Sequence, residues 1–152
     1  MLEFFHYLHI LSAIVLAGGE VIYGWVIAPS LLKLDAEVRR DYFTSLNAFA
    51  AKVLGIAAAG TLIGGIGRAW TSGTIAGFGD LFSGYGLMTT IALVLFILLF
   101  GLDGPNRARQ QRTIESLDTD GFTRAFKVGR MTNAVLLILI VGVMGAMRLG
   151  LY

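Results

Sequence analysis

The run FFHYLHILSAIVLAGGEVIYGWVIAP, residues 4–29, holds one acidic residue, Glu20, and neither Lys nor Arg. At ~1.5 Å rise per residue, a helix of this length crosses a hydrocarbon core ~30 Å thick with some tilt. Three further apolar runs follow, from about Asn47 to Trp70, Leu87 to Leu102 and Met131 to Leu149. The whole chain of 152 residues is 56% hydrophobic, with only 14% charged residues and mean hydropathy +0.75. A water-soluble core of this size cannot absorb that much apolar surface, so lipid is the expected solvent. Residues 1–152 therefore read as one transmembrane domain, an all-α four-helix up-down bundle.

Charge sets the expected orientation. The link after the first span carries Lys33, Arg39 and Arg40, and the link after the third carries Arg107, Arg109, Arg112, Arg124, Lys127 and Arg130. The opposite side offers Arg68 and Arg148, with Lys52 inside a span. The positive-inside rule places both charged links in the cytoplasm and both termini outside, as expected for a multi-pass protein of a bacterial inner membrane. The start MLEFF lacks a basic leader region and reads as mature sequence. Formal charge is +2 and pI about 9.2, but the basic residues flank apolar spans, so they speak for topology and against nucleic acid. RARQQR, residues 107–112, reads first as an orientation signal.

Local signals sharpen the expected boundaries. Pro29 marks the end of the first span, and residues 30–46 suit a short interfacial helix or an extension of the second span. Asp103, Gly104 and Pro105 predict the end of the third span, with a short amphipathic helix in the polar stretch through Arg130. Gly60 and Gly64 stand in GxxxG spacing on the second span, a small-residue face open to a neighbouring helix, a flat ligand or a second copy in a homodimer.

Cysteine is absent, which removes disulfides, thiolate metal sites and cysteine-attached haem together. The two histidines, His6 and His9, share a helix face with Glu20, since at ~100° per residue they lie roughly 60° and 20° from one another's direction. Glu20 sits ~16 Å farther along the axis than His9, too far for one ion to touch both. An intramembrane acid calls for a partner, and Lys52 is the expected one; a protonated acid or a proton path are the alternatives.

Imidazoles three apart can give two ligands to copper or zinc, with Met88, Met144 and Met147 at compatible depth. Haem b needs only one neutral imidazole, with Arg68 beside Trp70 available to a propionate and the Gly60–Gly64 face available to the porphyrin. The plainer alternative makes His6, Arg68 and Trp70 interfacial anchors and His9 a hydrogen-bonded histidine between helices.

Leu8, His9, Gly18, Gly19 and Pro29 make the first span resemble that of small bacterial four-helix membrane proteins. That group takes in uncharacterised members, the copper-resistance D family and the membrane protoporphyrinogen oxidase HemJ. The ending FKVGRMTNAVLLILIVGVMGAMRLG, residues 126–150, is similar to their last helix. The resemblance implies His9 as an axial haem ligand and a role in electron transfer, haem-linked oxidation or gas sensing, with an oxidoreductase as the enzymatic form. HemJ-like members open the third helix with a lysine, where this chain has Met88, Thr89 and Thr90. The competing expectations are a haem-free copper or small-solute transporter or accessory protein entered through His6, His9 and Met88, and a structural bundle without cofactor.

Overall fold

The computed structural model describes residues 1–151 and is an integral membrane bundle of four long helices: α1 (Leu2–Leu31), α2 (Ala36–Thr71), α3 (Gly84–Glu115) and α4 (Thr119–Leu149). A single 3-10 turn, Phe78–Phe82, bridges α2 and α3. The helices run to 30, 36, 32 and 31 residues. Each exceeds the ~20 residues that cross a bilayer, so their charged segments project beyond the hydrocarbon at the end that carries the links 32–35 and 116–118.

That extension meets one expectation and corrects two others. Residues 36–46 belong to α2, so the second span is extended, one of the two arrangements expected for residues 30–46, and no separate interfacial helix forms there; the RARQQR segment belongs to α3 and forms no short helix of its own. Pro105 lies inside α3 instead of ending it. Its ring would crowd the carbonyl one turn back, at Gly101, where no side chain adds to the crowding. Asp103 and Arg107 pair across the same turn and tie together the segments on either side of the proline. Pro29 is absorbed differently: the turn before it, Tyr23–Ile27, widens to π-helical geometry, and the helix runs on to Leu31.

Helix ends follow local chemistry. Asp118 caps α4 by accepting a hydrogen bond from the Gly121 amide at 2.8 Å, and α4 stops at Gly150, whose φ of 70° is left-handed. Buried Arg39 near the start of α2 donates to Thr119 Oγ1 at 2.7 Å, joining the starts of α2 and α4.

Helix packing is paired: α1 lies chiefly on α2 and α3 chiefly on α4, with thinner contact between the two hairpins. The α1–α2 seam is built on small residues. A Cβ at Gly60 would strike Ser12, one at Gly67 would strike Phe5, and one at Gly64 would lie 2.5 to 2.9 Å from the His9 backbone and Cβ. The best-buried apolar cluster gathers Tyr23, Ala28, Leu31, Phe43, Ile114, Phe122 and Phe126 near the link end, with the Phe43 and Phe122 rings edge-on at 5.1 Å. Farther along, Leu16, Leu54, Ala57 and Ala58 form a smaller core. Most remaining apolar side chains are exposed in the isolated chain, as a lipid-facing surface requires.

Gly64→Val should therefore lower stability in detergent micelles by about 1–3 kcal/mol more than Gly55→Val, because Gly55 has nothing within 4 Å of its Cβ position. Denaturant titration of both variants checks this; equal losses would show that the seam is not close-packed at Gly64.

Candidate functional site

Glu20 is held by α1 in the middle of an apolar run, where an unpaired carboxylate would be costly. Its partner comes from across the bundle. Arg107 on α3 donates from Nη2 to Glu20 Oε1 at 2.9 Å, from Nη1 to Asn47 Oδ1 on α2 at 3.2 Å, and from Nε to Asp103 Oδ2. Asn133 on α4 donates from Nδ2 to Glu20 Oε2 at 3.0 Å and to Asp103 Oδ1 at 3.1 Å. All four helices thus end on one polar knot. Its ion-paired side chains are only 9% to 18% exposed, and the Arg107 guanidinium also lies over the Tyr23 ring, 5.2 Å from its centroid.

The levels match. Glu20 and Asn47 lie about equally far from the α1–α2 link, while Asp103, Arg107 and Asn133 flank the α3–α4 link at comparable distance. Arginine suits this place because its planar fork can satisfy several acceptors at once, whereas a lysine offers one point charge.

Beside the knot lies a cavity of about 240 Å³. Its polar wall includes Gln110 and Arg130, and Arg130 stacks its guanidinium over Trp25 at 4.3 Å. Four buried side-chain atoms lack a hydrogen-bond partner among the described residues: Tyr23 Oη, Gln110 Oε1, Arg130 Nε and Asn133 Oδ1. Every one belongs to a residue that lines this cavity. Buried polar groups are rarely left unsatisfied, so four around one space mark it as a place for water or a ligand.

Glu20 therefore pairs with Arg107, and the expected pair with Lys52 does not form. Lys52 stands two residues from buried Leu54, some 200° around α2, and is exposed. The residues missed in the sequence are Asn47, Asp103, Arg107 and Asn133. Taking Asp103-Gly104-Pro105 as a stop put Arg107 outside the helix and made it an orientation charge.

His9 lies between α1 and α2, where Nδ1 is 2.8 Å from the Thr61 carbonyl oxygen. A carbonyl only accepts, so Nδ1 carries a proton, and in the neutral ring the lone pair is then on Nε2. The ring also abuts Gly65, with Nδ1 3.1 Å from its Cβ position. Leu8, His9 and Ser12 fill the face of Gly60 and Gly64, so that face seats a helix and leaves no room for a porphyrin plane. His6 is half-buried and its ring meets Tyr7 edge-on at 5.9 Å. Arg68 and Met88 are half-buried and Trp70 is exposed. No cluster of three or more His, Asp or Glu able to hold a metal occurs among the described residues. No family model, curated protein or solved structure matches this chain.

Removing one member of a buried charge cluster strands the others. Arg107→Leu should cost about 3–5 kcal/mol of stability, while the triple change Glu20→Leu, Asp103→Leu and Arg107→Leu should cost less than the single one. Denaturation in mixed micelles checks the order; a triple variant weaker than Arg107→Leu would contradict it.

Proposed function

We propose that this chain is a membrane-embedded ligand-binding protein whose working site is the cavity beside Glu20, Asp103, Arg107 and Asn133. The observation that carries the reading is the convergence of four unpartnered buried atoms on that space. The lining comes from α1, α3 and α4. Arg107 holds the two carboxylates in fixed positions and Asn133 is oriented by both, so its Oδ1 is presented to an incoming donor. Gln110 offers a second acceptor, and Arg130 offers a donor. Such an array binds and orients a polar group without moving itself, which is the condition for selective uptake in a low-dielectric site.

The positive charges at the link end support an orientation with the links in the cytoplasm and the termini outside a bacterial inner membrane. The bias persists without Arg107. A cysteine-free chain makes this testable: Thr74→Cys should react with an impermeant maleimide in intact spheroplasts, and Ser116→Cys only after lysis. The opposite pattern inverts the assignment.

Extraction into polymer nanodiscs followed by mass spectrometry tests the ligand reading. Wild type should carry a small molecule that Asn133→Leu and Gln110→Leu retain in clearly smaller amount while their helical circular dichroism is unchanged. Equal recovery from all three would refute it.

A second reading, haem b at His9, is favoured by one observation: the Thr61 carbonyl fixes the imidazole tautomer that leaves Nε2 free, as axial ligation requires. It also carries the resemblance to the copper-resistance D and HemJ-like group. His9 would hold the iron and Arg68 a propionate, and bound haem would supply one-electron chemistry for electron transfer. With the glycine face closed, the porphyrin has to lie outside the α1–α2 seam, against lipid or a second copy. A Soret band lost in His9→Ala and kept in Lys33→Ala supports this reading; colourless protein holding copper supports the metal alternative.

A further inference from the structure

We infer that the cavity takes the uncharged, hydroxyl-bearing head of a lipid that enters sideways from the bilayer between α1 and α4. The inference rests on the proposal that the cavity is a ligand site, and adds the class of ligand and its route.

The route follows from the rim. The lining joins the buried knot and the buried unpartnered polar atoms to Val21 and Trp25 on α1 and Ile138 on α4, which mark its outer side by their exposure. These three are apolar and exposed, Ile138 to 70%, on helices that pack only thinly against each other. Ile138 lies two helical turns from Arg130, toward the middle of the apolar α4 span. At that depth an opening meets acyl chains, not water. A molecule that fills the polar wall and leaves through this mouth has a polar head and an apolar body.

The head is constrained by what the wall lacks. Asn133 is more than nine-tenths buried, and its amide cannot be turned over, because both carboxylates require the Nδ2 donor. Its Oδ1 therefore needs a donor from outside the chain. Gln110, also more than nine-tenths buried, presents a second free acceptor. Arg130 Nε needs an acceptor, and Tyr23 Oη can serve either way. A group that both donates and accepts meets this set, and a hydroxyl is the smallest that does. Charge decides the rest: the lining holds two acidic residues, Glu20 and Asp103, and two arginines, Arg107 and Arg130, with Arg107 paired directly to both acids. A charged head would unbalance that arrangement in a medium that screens little. The volume of about 240 Å³ suits a head group, below the range of sites that enclose a whole drug-sized molecule.

Trp25 sits at the mouth and is one of two tryptophans, so Trp70→Phe turns it into a single reporter. In phosphatidylcholine vesicles, diacylglycerol with dibrominated chains should quench Trp25 saturably and more strongly than dibrominated phosphatidylcholine at equal mole fraction. Asn133→Leu and Gln110→Leu should each weaken the apparent affinity about five-fold, the worth of roughly one hydrogen bond, with helical circular dichroism unchanged. Stronger quenching by dibrominated phosphatidic acid would overturn the neutral head and keep the cavity as a lipid site. A saturable response of Trp25 to glycerol in water, with none to brominated diacylglycerol, would overturn entry from the bilayer and keep the ligand reading. No selective response to any probe, together with empty nanodisc extracts, would remove both.

Discussion

The contact between Glu20 and Arg107 holds the architecture together because it buries charge in the apolar part of the bundle, where side chains from all four helices gather to satisfy it. The apolar surfaces alone would let two helical hairpins slide past each other, since lipid competes on equal terms with leucine for leucine. An ion pair with directional hydrogen bonds does not permit sliding. Arg107 reaches α1 and α2 from α3, and Asn133 closes the circle from α4, so the register of all four helices is fixed at one level. The thin packing between hairpins then makes sense, because a few polar contacts do there what a broad seam does within each pair.

Much of the fold was legible. Four apolar runs, an all-α bundle, and the inward position of Glu20 follow from hydropathy and the cost of charge in lipid. Helix ends were less so. Pro105 is a strong breaker in water, but in a membrane helix the neighbours compensate, here through Gly101 and the Asp103–Arg107 pair. That one residue decided whether Arg107 counted as a surface charge or a buried one, and with it the identity of Glu20's partner. The available signal was the acid and arginine four apart on either side of the proline, plus Asn133 just inside the last span.

The histidines show the reverse problem. As rare residues on one face they attracted a metal or cofactor reading, yet His9 is tied to the Thr61 carbonyl and packed on Gly64 and Gly65. Rarity in a sequence does not distinguish a residue that binds something from one that bonds its neighbour. The fixed tautomer keeps an iron ligand chemically available there, while the unpaired atoms of the fold collect roughly three to four turns away along α1, beside Glu20 and Tyr23.

The wide turn at Tyr23–Ile27 has a geometric result for the whole of α1. In an unbroken α-helix, Tyr23 and Ala28 would point about 140° apart, and only one could face inward. Both are buried, with Leu31 beyond them. The extra residue thus acts as a phase shifter: the stripe that lies on the glycine seam above hands over to a different stripe below, so one straight rod serves two differently oriented sockets.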